Sequence, residues 1–206
     1  MLLLNLFFFG LFFSFAGSIT PSMLNMTALK ISLEKGRKAT NSYALGVAII
    51  AIPQAIVAVI LTRYIADNPI ILETLEKAGI FIFILLSYYF YRESKKAKIK
   101  VEEVKTKKEN HFLTGITLSV INMFAIPFFC GIVLLLETFE LFSFQFIPVL
   151  FFVLGSVIGT FYILFLYGKY AKIIQRKTGR LTNDINLILS ILTAAVAVFT
   201  ILKLFF

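Results

Sequence analysis

Apolar residues stand in long, unbroken blocks along most of this sequence, and this arrangement constrains the fold more than any other feature. Hydrophobic residues make up 59% of the chain and charged residues only 15%. About 20 helical residues cross the roughly 30 Å hydrocarbon core of a bilayer. Only helices or closed barrels satisfy their backbone groups there, and continuous rather than alternating blocks favour helices. We therefore predict an all-α membrane protein with six transmembrane helices. The predicted spans are Leu2–Leu29, Tyr43–Leu61, Leu75–Tyr91, Phe112–Leu136, Phe146–Tyr167 and Ile185–Leu204.

The charges between the blocks alternate from loop to loop. Lys and Arg concentrate in the first, third and fifth loops, whereas the fourth loop contributes only Glu137 and Glu140. The third loop, Arg92–Glu109, holds eight basic and four acidic residues. Because cytoplasmic loops are enriched in Lys and Arg, the odd loops are predicted to face the cytoplasm, which leaves both termini outside. No basic residue precedes Lys30, so the apolar start is interpreted as a first span rather than a cleaved signal.

Two short segments of the sequence match each other. Ser22–Leu29 and Ser119–Ile126 share Ser, Asn, Met and Ala in register, 97 residues apart. With three spans in each half, the second half starts from the opposite side of the membrane, so the match predicts two inverted three-helix repeats. The predicted organisation is a first half at residues 1–91, a basic cytoplasmic linker at 92–111 and a second half at 112–206.

The first and fourth predicted spans carry helix-breaking residues. The first block, with about 28 residues, would extend about 42 Å as a straight helix, which is longer than the bilayer core. Gly17–Pro21 interrupts it, and proline removes a backbone donor and clashes with the preceding turn. The fourth span has a milder break at Pro127. We predict that both spans are kinked or discontinuous around Asn25 and Asn122.

The candidate site residues are neutral, because the only Asp or Glu in a predicted span is Glu76, next to the first residue of the third span. Asn25 and Asn122 each offer two donors and one carbonyl acceptor, enough to hold a zwitterionic or amide substrate. Hydrogen bonding between packed helices is the alternative role for both residues. Gln54, beside Pro53 in the second span, has the same two interpretations. The substrate-path candidates are Thr20, Pro21, Ser22, Asn25, Gln54, Ser119, Asn122 and Pro127.

Composition argues against several other classes of protein. A single histidine, His111 in a lysine-rich loop, and the lack of carboxylates in the middle of every predicted span disfavour an enzyme, so we predict no catalytic residue. One His and one Cys, Cys130, cannot supply the four ligands of a structural zinc site, and we predict no metal or cofactor. The net charge of +9 fits basic loops at anionic lipid headgroups rather than nucleic acid. Gly155–Gly159 is a small-residue motif that suits close helix packing, within one chain or in a homodimer.

Three local features resemble the lysine-exporter (LysE/RhtB-type) translocator family. Thr20-Pro21 followed by Glu34–Ala39 is similar to that family's first-helix break and its Gly-Arg-Arg-Ala-like turn. Tyr43–Ala48 resembles the glycine-bearing start of the second span, and Phe112–Asn122 resembles the fourth-span signature. The resemblance covers nearly the whole chain in the number and length of the spans.

The sequence departs from the family pattern at both breaks. The family's Pro-Gly-Pro is Pro21-Ser22-Met23 here, and its Asn-Pro-Lys is Asn122-Met123-Phe124. The resemblance implies a multi-pass protein of the bacterial inner membrane whose partners are the lipid bilayer and a small-molecule substrate. It implies a secondary transporter that exports amino acids or related metabolites, driven by the proton-motive force. A passive small-solute channel and a non-transporting subunit that docks a partner protein are the alternatives.

Overall fold

A computed structural model describes residues 2–19, 22–68, 110–122 and 124–176, together with scattered positions elsewhere. The scattered positions are 70, 71, 74, 81, 84, 85, 87–89, 91, 92, 95, 187, 190, 191, 194, 195, 198 and 201. Within this part of the chain every regular element is helical. The helices are α1 (Leu2–Gly17), α2 (Met23–Lys35), α3 (Arg37–Ala66), α4 (His111–Ile121), α5 (Ala125–Thr138) and α6 (Phe146–Lys169).

Two of these helices are each long and apolar enough to cross a membrane. They are α3, with 30 residues, and α6, with 24 residues. Helices α4 and α5 qualify as a third span when taken together, with a bend of 65° between them. The chain is therefore a helical, multi-pass membrane protein. The predicted spans at 75–91 and 185–204 lie mostly outside the described residues, although the described positions within them are helical.

The first and fourth predicted spans are both interrupted. Helix α1 ends at Gly17 and α2 begins at Met23. Thr20 and Pro21 lie outside the described residues. Helix α5 begins at Ala125, so Pro127 stands in its first turn, where a missing N–H removes no helical hydrogen bond. The fourth span is thus interrupted between Ile121 and Ala125, which confirms the break predicted around Asn122, but Pro127 lies inside α5 and its predicted role in the break is wrong.

The first basic segment is helical rather than an extended loop. Helix α2 continues to Lys35 and α3 begins at Arg37, with only Gly36 between them. Gly36 has a φ of +85°, a backbone conformation that suits glycine and ends a helix sharply. The Ser32 hydroxyl donates to the Gly168 carbonyl at 2.7 Å, so this corner lies against the end of α6. The basic ends of α2, α3 and α6 therefore stand at the same end of the bundle.

Helices α1 and α6 cross closely, because small residues stand at the contact. A Cβ on Gly10 would collide with the Phe152 carbonyl oxygen. One turn further along, the Ser14 hydroxyl donates to the Ser156 carbonyl at 2.8 Å. Residue numbers increase in the same direction along the contact in both helices, so the two helices run parallel. The predicted small-residue motif Gly155–Gly159 lies on this contact and brings the two backbones together within the chain.

Helices α3 and α4 cross in the same manner. A Cβ on Gly115 would collide with the Tyr43 carbonyl oxygen. One turn further along, the Ser119 hydroxyl donates to the Val47 carbonyl at 3.5 Å. This pair of helices is also parallel, and Gly46 lies on the same contact.

The two crossings match residue by residue. Contacting positions of α1 recur in α4 with a separation of 105, and those of α3 recur in α6 with a separation of 109. The equivalent positions are Phe7 with Phe112, Gly10 with Gly115, Leu11 with Ile116, Ser14 with Ser119, Tyr43 with Phe152, Gly46 with Gly155 and Val47 with Ser156. The counterpart of Ser119 is thus Ser14 and not Ser22. The 97-residue sequence match is not the structural register, because apolar segments of low complexity match by chance.

Two apolar clusters fill the bundle, one around each second half of a broken span. The first cluster surrounds α2 with residues from the beginning of α3 and the end of α6, including Ala28, Tyr43 and Leu164. The second surrounds α5 with residues from the end of α3 and the beginning of α6, and it includes Val133 and Phe152. Each break therefore lies beside a packed core, on which the following helix is anchored.

The chain divides into two compact units. One combines Met1–Tyr64 with Glu103–Gln175, and the other combines Ile65–Glu102 with Arg176–Phe206. In the second unit the Ser87 and Ser190 hydroxyls each donate to the other residue's carbonyl, at 3.0 and 2.9 Å. Each unit combines residues from both predicted halves, and the division into halves at 1–91 and 112–206 stays a prediction.

Candidate functional site

The break between α1 and α2 is braced from inside the bundle. Asn25 is 1% exposed and donates its side-chain amide to the Ser18 carbonyl at 2.6 Å. The Tyr167 hydroxyl of α6 donates to the Ile19 carbonyl at 2.7 Å. A helix leaves its last carbonyls without intrahelical partners. Two carbonyls of this break are satisfied instead by protein side chains.

Ser22 begins the helix that follows the break. Its hydroxyl oxygen accepts the Asn25 backbone N–H at 3.4 Å, as an N-cap residue does. Asn25 thus takes part in the break through its backbone and through its side chain. Of the roles that the sequence left open for Asn25, the observed contacts are those of a buried hydrogen-bonding residue that holds the chain.

The break between α4 and α5 has a different character. Asn122 ends α4, and its backbone N–H donates to the Leu118 and Ser119 carbonyls, both at 3.1 Å. Its side chain is half-buried and has no hydrogen-bond partner among the described residues. Phe124, which precedes α5, is 75% exposed and makes no side-chain cap. The second break therefore carries an amide side chain that is available to a ligand.

Gln54 lies next to the second break and bonds across two helices. Its side chain is 8% exposed and donates through Nε2 to the Ser119 carbonyl at 2.8 Å. Pro53 precedes it, yet α3 continues without interruption through this point. The observed hydrogen bond is the interhelical one of the two roles open for Gln54. It fixes the end of α4 against the middle of α3.

The two breaks lie against each other. The Phe128 ring, in the first turn of α5, lies on Gly17, the last residue of α1, and a Cβ on Gly17 would overlap the ring. Phe128 is 37% exposed. Its ring meets that of buried Phe129 edge to face, with centroids 5.7 Å apart. The last residue of α1 therefore contacts the first turn of α5, and this contact joins the first broken span to the fourth.

The structure gathers most of the sequence-predicted residues at these two breaks. Ser22 and Asn25 lie at the first break, and Gln54, Ser119 and Asn122 lie at the second. Pro127 is adjacent to the ring that joins the two breaks. Thr20 and Pro21 are outside the described residues.

Sequence reasoning missed Phe128, Gly17 and Tyr167 as site residues. The chain contains 24 Phe and 8 Tyr, so one aromatic residue carries no signal of its own. Gly17 did open the predicted interruption, which was its only sequence signal. The partners of these residues are distant in sequence, and no pattern in the spacing reveals them.

The polar side chains found at the breaks are amides and hydroxyls, and none of them is charged. Such groups can hydrogen-bond the ammonium or carboxylate of a small solute without carrying charge into the membrane. Interrupted helices that meet within a bundle are typical of substrate sites in membrane transporters, because the helix ends present unpaired backbone groups. The fold and the site together define a helical membrane protein of the transporter class.

Residues 15–204 match the LysE type translocator family. Because the match covers most of the chain, this protein belongs to the LysE type translocator family. The resemblance drawn from the sequence motifs is thereby confirmed. No curated protein and no solved structure matches the chain.

Proposed function

We propose that this translocator is a secondary exporter of amino acids or related small metabolites in the bacterial inner membrane, and not an enzyme. The observation that carries the proposal is the contact between the two broken spans at Gly17 and Phe128. Membership of the family supports translocation, and the joined breaks supply a place for a substrate. Export, rather than uptake, and the proton-motive force as the driving force rest on the family resemblance.

The architecture that we propose has six spans in two inverted three-helix repeats. The matched crossings of α1 with α6 and of α4 with α3 support this arrangement, since inverted repeats produce equivalent contacts. Parallel helices in one bundle also need an odd number of crossings between them. The hydrophobic block 75–91 supplies such a crossing between α3 and α4.

The orientation that we propose places the basic end of the bundle in the cytoplasm. Lys35, Arg37 and Lys169 stand at the ends of α2, α3 and α6 that the Ser32–Gly168 hydrogen bond brings together. These side chains fit anionic headgroups of the inner leaflet as a lipid partner. Both termini then lie outside.

In the proposed mechanism the second break contacts the substrate and the first break is the fixed support. The Asn122 amide can donate to a substrate carboxylate and accept from its ammonium group. The C-terminus of α4 carries a partial negative charge, which favours the ammonium at the same place. The halves then rock about this point and open it to each side in turn.

The experiment that tests the proposal measures efflux of all common amino acids from peptide-loaded cells that lack or overproduce the chain. We expect faster efflux of one or a few amino acids on overproduction, and less of it after an uncoupler. Asn122→Ala should cut this efflux at unchanged membrane abundance. Thr117→Ala, an exposed polar residue on the same helix, is the matched control.

Three other outcomes would contradict the proposal. Efflux that an uncoupler leaves unchanged would indicate a passive channel. Absence of efflux, together with a stoichiometric partner on purification, would indicate a docking subunit. Efflux that is normal in Asn122→Ala would remove this residue from the substrate path.

A further inference from the structure

We infer that the Phe128 ring is the gate of the translocation path, closed by lying on Gly17, and that it limits the size of the solute that passes. The inference deepens the proposed function, because it takes the two joined breaks as the path. It adds a residue that decides passage and selectivity, distinct from the polar groups that hold the solute.

Gly17 differs from the glycines at the helix crossings in what it faces. At Gly10, Gly46, Gly115 and Gly155 an added Cβ would collide with a backbone carbonyl, so these glycines set the distance between helices. At Gly17 the three atoms nearest to the added Cβ all belong to the far edge of the Phe128 ring. This glycine is therefore a seat for one movable side chain and not a point where two backbones must approach.

The contact lies at the surface of the packed helices and not within the core. Gly17 is exposed and Phe128 is 37% exposed. The residue after Phe128 is by contrast fully packed, since Phe129 is 5% exposed and its ring meets that of Phe152 with centroids 6.4 Å apart. The core thus anchors α5 immediately behind a ring whose outer side is free to turn.

The backbone that follows Gly17 is held by more side-chain hydrogen bonds than the short turn between α4 and α5. Asn25 and Tyr167 hold the carbonyls that follow Gly17. On the side of the ring, Gln54 holds the Ser119 carbonyl of α4, but Phe124 makes no side-chain cap and the Asn122 side chain has no partner within the described residues. A change in the angle between α4 and α5 therefore lifts the ring from a stationary seat, and an aromatic ring that rests on glycine excludes any solute until it moves.

The test uses Phe128→Leu, Gly17→Ala, the double variant and Gly131→Ala as the control. Gly131 lies on the same helix, and nothing stands within 4 Å of a Cβ added there. The assay is the rate at which a membrane-impermeant thiol reagent modifies Ser18→Cys in a Cys130→Ala background. It needs no knowledge of the substrate, so failure of the amino-acid assignment and failure of the gate are distinguishable.

Loss of the ring should raise the modification rate about tenfold, within the range expected for residues in direct contact. Gly17→Ala should also raise the rate, because its Cβ displaces the ring. If both act through the same contact, the double variant should behave like Phe128→Leu alone, while Gly131→Ala stays unchanged. Phe128→Met serves in place of Phe128→Leu if the latter does not accumulate in the membrane, since Met keeps a similar volume but loses the rigid ring.

Two results would overturn the gate. One is an unchanged modification rate in both Phe128 variants. The other is a double variant whose effect is the product of the two single effects, because independent sites add in free energy. Amino-acid efflux measured on the same variants then shows whether the size limit widens. A gate that opens without any amino-acid efflux would leave this inference standing and refute the proposed substrate class.

Discussion

Replacement of Asn25 by Ala should destabilise the protein rather than act on transport alone. The variant leaves the Ser18 carbonyl without its 2.6 Å partner at a site where the replaced side chain is 1% exposed. An unsatisfied buried acceptor costs about 1 to 3 kcal/mol, whereas interhelical hydrogen bonds in membranes average about 0.6 kcal/mol. We expect the unfolding free energy to fall by about 2 kcal/mol, which for a chain of this size lowers the Tm by roughly 4 to 8 °C.

The chain carries its own reporter for this measurement. It has no Trp and a single cysteine, Cys130, which is half-buried. A thiol-reactive fluorogenic dye therefore reports exposure of Cys130 as the purified protein is heated in detergent. Asn122→Ala is the matched control, because it removes an amide that has no partner among the described residues, and it should stay within about 0.5 kcal/mol of the parent. An Asn25→Ala protein with the parental Tm and reduced transport would refute the brace and make Asn25 a substrate contact.

Two further predictions concern packing and orientation. Gly46→Val and Gly155→Val should each strongly lower the amount of folded protein, because each added Cβ collides with a backbone carbonyl of the neighbouring helix. The control, Gly131→Val, should accumulate normally. Comparable accumulation of all three variants in membrane fractions would contradict the helix crossings. In a Cys130→Ala background, Lys35→Cys should react with a membrane-impermeant thiol reagent only after the membrane is permeabilised. Glu140→Cys, at an exposed position, should react in intact cells. The reverse pattern would overturn the proposed orientation.

The sequence predicted the features that depend on local composition. Block hydrophobicity predicted α3 and α6 closely, since a helix in hydrocarbon needs little beyond apolar length. The interruption after Gly17 was predicted from the excess length of the first block and from Pro21. The second interruption was predicted around Asn122, where the structure has it, but Pro127 does not make it, because proline fits the first turn of a helix as well as it breaks the middle of one. Because proline is tolerated in the first turn of a helix and breaks its middle, Pro127 alone cannot locate the end of a helix.

Relations between distant residues could not be predicted. The matched crossings depend on which glycine faces which carbonyl, and the sequences that surround Gly10 and Gly115 share too few identities to reveal the 105-residue separation. The stronger sequence match paired Asn25 with Asn122, two residues that the structure places in different roles. Packing selects small residues at a contact without fixing their neighbours, so structural equivalence leaves little trace in the sequence.

The structural register shows that the two breaks are equivalent in position but unequal in polar side chains. A separation of 105 relates Asn25 to Cys130, and a separation of 109 relates Tyr167 to Ala58; Cys130 indeed lies 3.5 Å from the Ala58 carbonyl. The first break thus has an amide and a phenol where the second has a thiol and a methyl group.

Hydrogen exchange tests the consequence of this difference. Backbone amides beside a break that is held by more side-chain hydrogen bonds open less often than those beside a break with fewer, because each opening must also break those hydrogen bonds. We expect the Ser18 and Ile19 amides to exchange more slowly than those of Phe124 and Ala125 in lipid nanodiscs. Tyr167→Phe removes only the hydroxyl that donates to the Ile19 carbonyl. It should speed exchange of the Ser18 and Ile19 amides and leave exchange of the Phe124 amide unchanged. Equal exchange at both breaks in the parent protein would mean that both move together, and the assignment of a fixed seat and a moving ring would then fail.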